Sequence, residues 1–220
     1  MPSPSPIRAA FRQAIGEAWA GGAGALLPIG FFAGAAMLVP FTTGTDADQL
    51  SSIGTGVLWV ALALASLVSM ERLFQADLED GTLELWAQDE TPLFLIAGTK
   101  ILSHWLISGL PLVMLTPVIG IMLQVSPEQL VPAMLAYGLG GLAFFLWGGV
   151  AGALAASVPR GGLLIALLAL PLFVPTAIFG SLATQTGLEG PNILFLAAST
   201  LFALATAPIA ASAALRLAVD

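Results

Sequence analysis

Residues 163–182 read LLIALLALPLFVPTAIFGSL, with no charged side chain in the stretch. The hydrocarbon core of a bilayer takes a helix of about 20 apolar residues, so this stretch reads as a membrane span. Five more apolar stretches lie near residues 20–41, 51–70, 99–124, 130–156 and 192–214. The separators carry turn chemistry: residues 42–48, the acidic stretch from Glu71, Ser126-Pro127, Pro159-Arg160-Gly161-Gly162, and residues 187–191. The fold class expected is an all-α polytopic membrane protein, a single transmembrane domain over residues 1–220 with six transmembrane helices. Pro28, Pro111, Pro117, Pro171, Pro175 and Pro208 fall inside the spans. Each proline removes a helix hydrogen bond, and the freed carbonyls need neighbours. The spans must therefore pack on protein and not stand apart in lipid.

Composition agrees. Charged residues make up 9% of the chain, against roughly 25% in soluble domains, and the mean hydropathy is +0.96. There is no cysteine and one histidine, which excludes disulfides, thiolate catalysis and a multi-histidine metal site within one chain. Gly98-Thr99-Lys100 lacks the glycine-rich lead of a phosphate-binding loop. The chain is expected not to be an enzyme, with no catalytic and no metal-binding residues. An intramembrane serine hydrolase is disfavoured because no G-x-S-x-G occurs. No basic patch suits nucleic acid. The start Met-Pro-Ser-Pro-Ser-Pro lacks a basic segment before a short apolar run, so no cleaved signal peptide is expected.

Under six spans, Arg8, Arg12, Arg72, Lys100, Arg160 and Arg216 all fall on one side, and the opposite loops carry only Asp46, Asp48, Glu128 and Glu189. Basic residues mark the cytoplasmic side, so both termini and the acidic loop are expected there. Residues 7–19 read as an interfacial helix: Ser5 caps it, Pro6 suits its first turn, and Ile7, Phe11, Ala14, Ile15 and Ala18 recur at helical spacing. Gly148, Gly152 and Ala156 stand four apart, the spacing of a tight helix contact, either within the chain or across a dimer.

Seven of the thirteen acids lie between Glu71 and Glu90. On a helical wheel Met70, Phe74, Leu78 and Leu85 form one stripe, with Gly81 among them; Asp77 and Glu84 flank it, and Arg72 and Glu79 lie opposite. Asp80-Gly81 is a turn signal, Thr82 is placed to cap a second short helix with Glu84 in its first turn, and Thr91-Pro92 marks the next helix start. Leu83 and Trp86 lie off the stripe. A solvated connector needs no such stripe, so residues 71–91 read as a docking loop for a partner.

Glu71-Arg72-Leu73-Phe74 followed by Asp77-Leu78-Glu79-Asp80-Gly81-Thr82-Leu83-Glu84 resembles the cytoplasmic loop of the haem exporter protein B (CcmB) family. The resemblance continues through Lys100 and Ser103-His104-Trp105-Leu106-Ile107-Ser108-Gly109-Leu110-Pro111-Leu112, through Arg160-Gly161-Gly162, Leu170-Pro171-Leu172 and Pro175, to Ala213-Ala214-Leu215-Arg216. It departs at Gln88-Asp89-Glu90, where apolar residues are expected before the proline.

The resemblance implies an ABC-2-type permease of the bacterial inner membrane, present in two copies with two copies of a separate ABC ATPase (CcmA-like) that binds the ATP. It implies a haem-handling membrane protein (CcmC-like), a small single-span protein (CcmD-like) and a periplasmic haem chaperone as further partners, in the maturation of c-type cytochromes. No covalently bound cofactor is implied, and haem is the expected cargo. Composition alone leaves open a permease of the same fold exporting a lipid, a polysaccharide or a drug.

On this reading the loop carries the coupling helix. Phe74, Leu78 and Leu85 are its apolar contacts, Trp86 is an anchor beside them, and Asp77, Glu79, Asp80 and Glu84 face basic groups on the ATPase. Glu71 and Arg72 belong to the same coupling set, and Gly81 sets the helix angle. Lys100, His104 and Ser108 form a candidate polar site within the membrane. His104 is read either as a haem ligand or as a helix–helix hydrogen bond, to Ser103 or Ser108 of a neighbouring helix or to a carbonyl, and the hydrogen bond is the expectation.

Overall fold

The computed structural model describes residues 6–20, 26–44, 47–71, 73–158 and 161–219. Ser5, Asp46, Arg72, Pro159 and Arg160, named above, lie outside the described residues. The described elements are α-helical throughout, apart from one π-helical turn. They are α1 (Pro6–Ala20), α2 (Leu26–Thr43), α3 (Ala47–Met70), α4 (Gln75–Glu79), α5 (Thr82–Gln88), α6 (Leu93–His104), the π turn Trp105–Gly109, α7 (Leu110–Met122), α8 (Pro127–Ala155), α9 (Gly162–Thr186) and α10 (Pro191–Val219).

Among the described residues, five helices are long and apolar enough to cross a membrane: α3, the continuous rod of α6, π turn and α7, then α8, α9 and α10. The sixth apolar helix, α2, has 18 residues; at 1.5 Å per residue it is about 27 Å long, just under a hydrocarbon core of about 30 Å. The stretch expected from residue 20 begins at Leu26, because α1 runs through Ala20. The stretch expected from residue 99 begins at Leu93, directly after Pro92, which sits at the helix N-cap.

Two of the expected breaking prolines do not break a helix. Pro28 lies in the first turn of α2, where no intrahelical partner is needed. Pro111 sits at the start of α7, directly after the π turn. Its ring would crowd the carbonyl of residue 107 in a regular helix, and that carbonyl lies within the wider turn. Pro117, Pro171, Pro175 and Pro208 do fall inside helices.

α8 is the central helix, with α3, α7, α9 and α10 packed around it. A Cβ at Gly148 would come within 2.9 Å of Met70 Cγ, and one at Gly152 within 3.1 Å of the Met70 carbonyl oxygen. The small-residue motif therefore seats α8 on the end of α3 within the chain. On α9, Leu163, Leu167, Leu170, Val174 and Ile178 are exposed at helical spacing, an apolar stripe suited to lipid.

Two apolar clusters fill the interior. One gathers α2, α3, α7, α8 and α9 around Trp59, whose ring lies 4.7 Å from Tyr137 and 6.0 Å from Phe144. The other joins α1, α4, α5, α6, α8 and α10, and contains Ala10, Phe74, Leu83, Trp86, Ile101, Phe145, Ala211 and Leu215. α1 thus packs on α6 through Ala10 and Ala14, while Ile7, Phe11 and Ile15 stay exposed, as an interfacial helix requires.

Candidate functional site

The segment between α3 and α6 folds as a helical hairpin. α4 has five residues and α5 seven, too short to be stable alone. The break falls at Gly81, whose φ of +78° is the left-handed region that favours glycine. Gly81, not Thr82, holds the N-cap position of α5. The Thr82 N–H donates to Asp80 Oδ1 at 2.9 Å, so the capping carboxylate comes from the residue before the glycine. Hydrogen bonds from the Thr82 hydroxyl and then from its N–H hold the Asp80 carboxyl below the usual carboxylate range. Asp89 does the same at the exit, accepting from the Thr91 N–H at 2.7 Å, and its carboxyl is likewise lowered.

Burial divides the hairpin into two faces. Leu73, Phe74, Leu83 and Trp86 point into the protein and are buried, with Leu78 half-buried beside them. Glu79, Asp80, Leu85, Asp89 and Glu90 point outward, and Leu85 is 70% exposed. Gln75 Nε2 donates to Glu79 Oε1 at 2.8 Å along the outer edge. Glu84 is intermediate, and its Oε2 is buried with no hydrogen-bond partner among the described residues. The carboxylate of Glu71 lies against the first turn of α9, 2.7 Å from where a Cβ at Gly162 would be, a position that the helix dipole favours for an acid.

Three expected contact residues are corrected by these positions. Phe74 is 1% exposed and packs within the chain's own core, so it offers no outward anchor. Asp77 is fully buried. Its Oδ2 forms an ion pair with Lys100 Nζ of α6, and its Oδ1 accepts from Gln13 Nε2 of α1 at 2.8 Å. Trp86, expected beside the docking contacts, instead presents its ring to Lys100, with Nζ 5.6 Å from the ring centroid. A lone cation in an apolar helix needs a counter-ion, and the inner face of α4 supplies it. Removing either partner of such a pair costs about 3–5 kcal/mol, because a buried charge is left uncompensated.

Lys100, His104 and Ser108 share one face of the α6 rod, yet the structure does not gather them on one ligand. Lys100 turns to α4. His104 Nε2 lies 2.7 Å from Ser69 Oγ of α3, and its ring sits 6.1 Å from that of Phe145. The expected helix–helix hydrogen bond is present, with Ser69 as partner in place of Ser103 or Ser108. Ser108 is buried in the π turn, and its Oγ has no hydrogen-bond partner among the described residues.

The family model described as CcmB protein matches residues 7–218. The chain belongs to the CcmB family. Among curated CcmB-family relatives, Heme exporter protein B of Bradyrhizobium diazoefficiens is 40% identical over 97% of this chain and 99% of its own length. The protein of the same name in Paracoccus denitrificans is 44% identical, covering 89% of this chain and 91% of its own length. That of Escherichia coli K12 is 34% identical, covering 88% and 90%. The CcmB match thus takes in both faces of the hairpin and the polar residues behind it.

Two residues of this CcmB-family site are not evident from the loop alone. Gln13 shares a helix face with Ala10 and Ala14, the small residues that let α1 approach α6. Ser69 ends α3 one residue before Met70. Lys100 itself carried a usable signal: it is a lone cation in an apolar run, and the nearest acids in sequence are those of the loop.

Proposed function

We propose that this chain is the permease subunit of an ABC-type haem-export complex serving the maturation of periplasmic c-type cytochromes. A separate ATPase subunit hydrolyses ATP and docks on the outer face of the α4–α5 hairpin. The observation that carries this reading is the division of the hairpin into two faces: the inner one is built into the core, and the outer one leaves Leu85 exposed among Glu79, Asp80 and Glu90. An exposed apolar residue on a hairpin that also exposes several acids fits a partner with an apolar pocket and basic side chains near it. Family membership supplies the haem-export context, because the relatives are named for it. On this reading the fold is of the ABC-2 type and the chain lies in the bacterial inner membrane with the hairpin and both termini in the cytoplasm. Two copies assemble with two ATPase subunits, a haem-handling membrane protein, a small single-span protein and a periplasmic haem chaperone.

The test uses variants that touch only the outer face. Glu79→Lys combined with Leu85→Ala is expected to leave the chain in the membrane at normal levels. Recovery of the ATPase with the tagged chain should fall by one to two orders of magnitude, as for the loss of about 1.4–2.8 kcal/mol of contact energy. Production of c-type cytochromes should fall with it. Undiminished ATPase recovery with normal cytochrome production would overturn the docking assignment.

A further inference from the structure

We infer that Asp77, Lys100, Gln13 and Trp86 form the joint through which displacement of the hairpin is passed to the membrane helices, acting as positioning residues behind the docking face. This rests on the ATPase-docking reading above and adds to it the route that the force takes.

The geometry is that of a four-way junction. Asp77 stands on the inner side of α4, and its two carboxylate oxygens are divided between elements: Oδ2 to Lys100 on α6, Oδ1 to Gln13 on α1. The Lys100 ammonium also lies over the Trp86 ring of α5. One ion pair therefore joins both helices of the hairpin to the interfacial helix and to a membrane rod 30 residues long, Leu93–Met122. The surrounding contacts of Leu73, Phe74 and Leu83 are apolar, and apolar contacts carry no directional preference. Charge-assisted hydrogen bonds do, and they strengthen when water is excluded. A push on the outer face can slide Leu83 over its neighbours, but it cannot separate Asp77 from Lys100 without breaking a buried ion pair. α1, the hairpin and the first turns of α6 must then move as one piece. Five residues beyond Lys100 the rod enters its π turn at Trp105, the point at which that movement can bend the rod.

The test compares Asp77→Asn, Lys100→Met, the two together, and Gln13→Leu, each in the assembled complex in native membranes. The readouts are membrane level, ATPase recovery, ATP turnover and mature c-type cytochrome. The double variant removes both charges of the pair together, and replacing a buried pair by neutral groups often preserves stability. It is expected to accumulate normally, to keep ATPase recovery and turnover within about twofold of the parent, and to lose about tenfold in cytochrome output. Gln13→Leu, which keeps the ion pair and frees α1, is expected to lose about threefold. Normal cytochrome output in the double variant would overturn the inference. So would a parallel fall in ATPase recovery, which would place the pair in docking, or failure of the double variant to accumulate, which would make it a fold staple alone. Absence of any ATPase with the parent chain would instead remove the docking reading, and the inference with it.

Discussion

The two ends of the helix bundle are held by different chemistry. At the end distant from the hairpin, polar tips close neutral hydrogen bonds inside an aromatic cluster. Trp59 Nε1 donates to Thr184 Oγ1 at 3.3 Å, and the Tyr137 hydroxyl donates to the Thr55 carbonyl at 3.3 Å. A cavity of about 20 Å³ lined by Thr55, Thr116, Tyr137 and Thr184 lies among them, room for a single water. At the hairpin end a neutral bond between His104 and Ser69 stands beside a full ion pair with a further hydrogen bond on it. Neutral contacts around aromatic rings tolerate small shifts. A buried ion pair holds one geometry or is lost. The chain therefore places its least forgiving contact where the hairpin meets the membrane helices.

Reversing the charge breaks this contrast most severely. Asp77→Lys sets a second ammonium against Lys100 in a dry site, and the loss should reach about 5 kcal/mol, the upper range for breaking a buried pair. Thermal denaturation of the detergent-purified chain should show that the stable form no longer accumulates. Trp59→Ala attacks the other end by cavity formation, at about 3–5 kcal/mol. The same melt should shift strongly downward, while a single cysteine placed at Leu83 stays protected from thiol reagents because the hairpin end is intact. Exposure of that cysteine in Trp59→Ala would show that the two ends are one cooperative unit.

Smaller effects sharpen the comparison. His104→Ala removes the bond to Ser69 and should cost about 1 kcal/mol. Any haem spectrum of the purified complex should be unchanged, and a lost or shifted Soret band would assign the ligand to His104. The smallest effect concerns pH. The Asp80 carboxyl is lowered in the folded chain by its bonds to Thr82. Its contribution is therefore fully present above the unfolded carboxylate range and disappears as pH falls through the lowered value. Protease nicking of the α4–α5 turn should rise below that range in the parent and be independent of pH there in Asp80→Asn.

The broad fold was legible because apolar length is a one-dimensional signal, and 163–182 and 130–156 announced their helices without any knowledge of packing. The hairpin was legible too, since Asp80-Gly81 fixed its break. Which way its side chains point was not. The stripe of Met70, Phe74, Leu78 and Leu85 assumed one continuous helix, but the left-handed turn at Gly81 rotates α5 relative to α4. That turn sends Leu83 and Trp86 inward and Leu85 outward. Asp77 was read as a surface acid because its counter-ion lies 23 residues away on another helix, a pairing that only tertiary structure reveals. Orientation is read from six basic residues; Arg72 and Arg160 lie outside the described residues, which leaves Arg8, Arg12, Lys100 and Arg216 to place. α1, α6 and the last turn of α10 all meet the hairpin cluster, so these four gather at one end of the molecule.

The π turn at Trp105–Gly109 has a consequence for how this rod tolerates sequence change. Closing a turn with an i→i+5 bond takes in one residue more than a regular turn does, which re-phases everything after it by about 100°. The two halves of the rod are thus set independently, like two keys cut on one blank. The first half can keep Lys100 and His104 aimed at α4 and α3, while the second keeps Leu112 and Ile119 in the aromatic cluster. Deleting one residue within 105–109 would remove the residue that the π turn takes in and leave a regular helix with both halves still facing their partners, whereas deleting one residue within the regular turns of 112–119 would rotate part of the rod by about 100°.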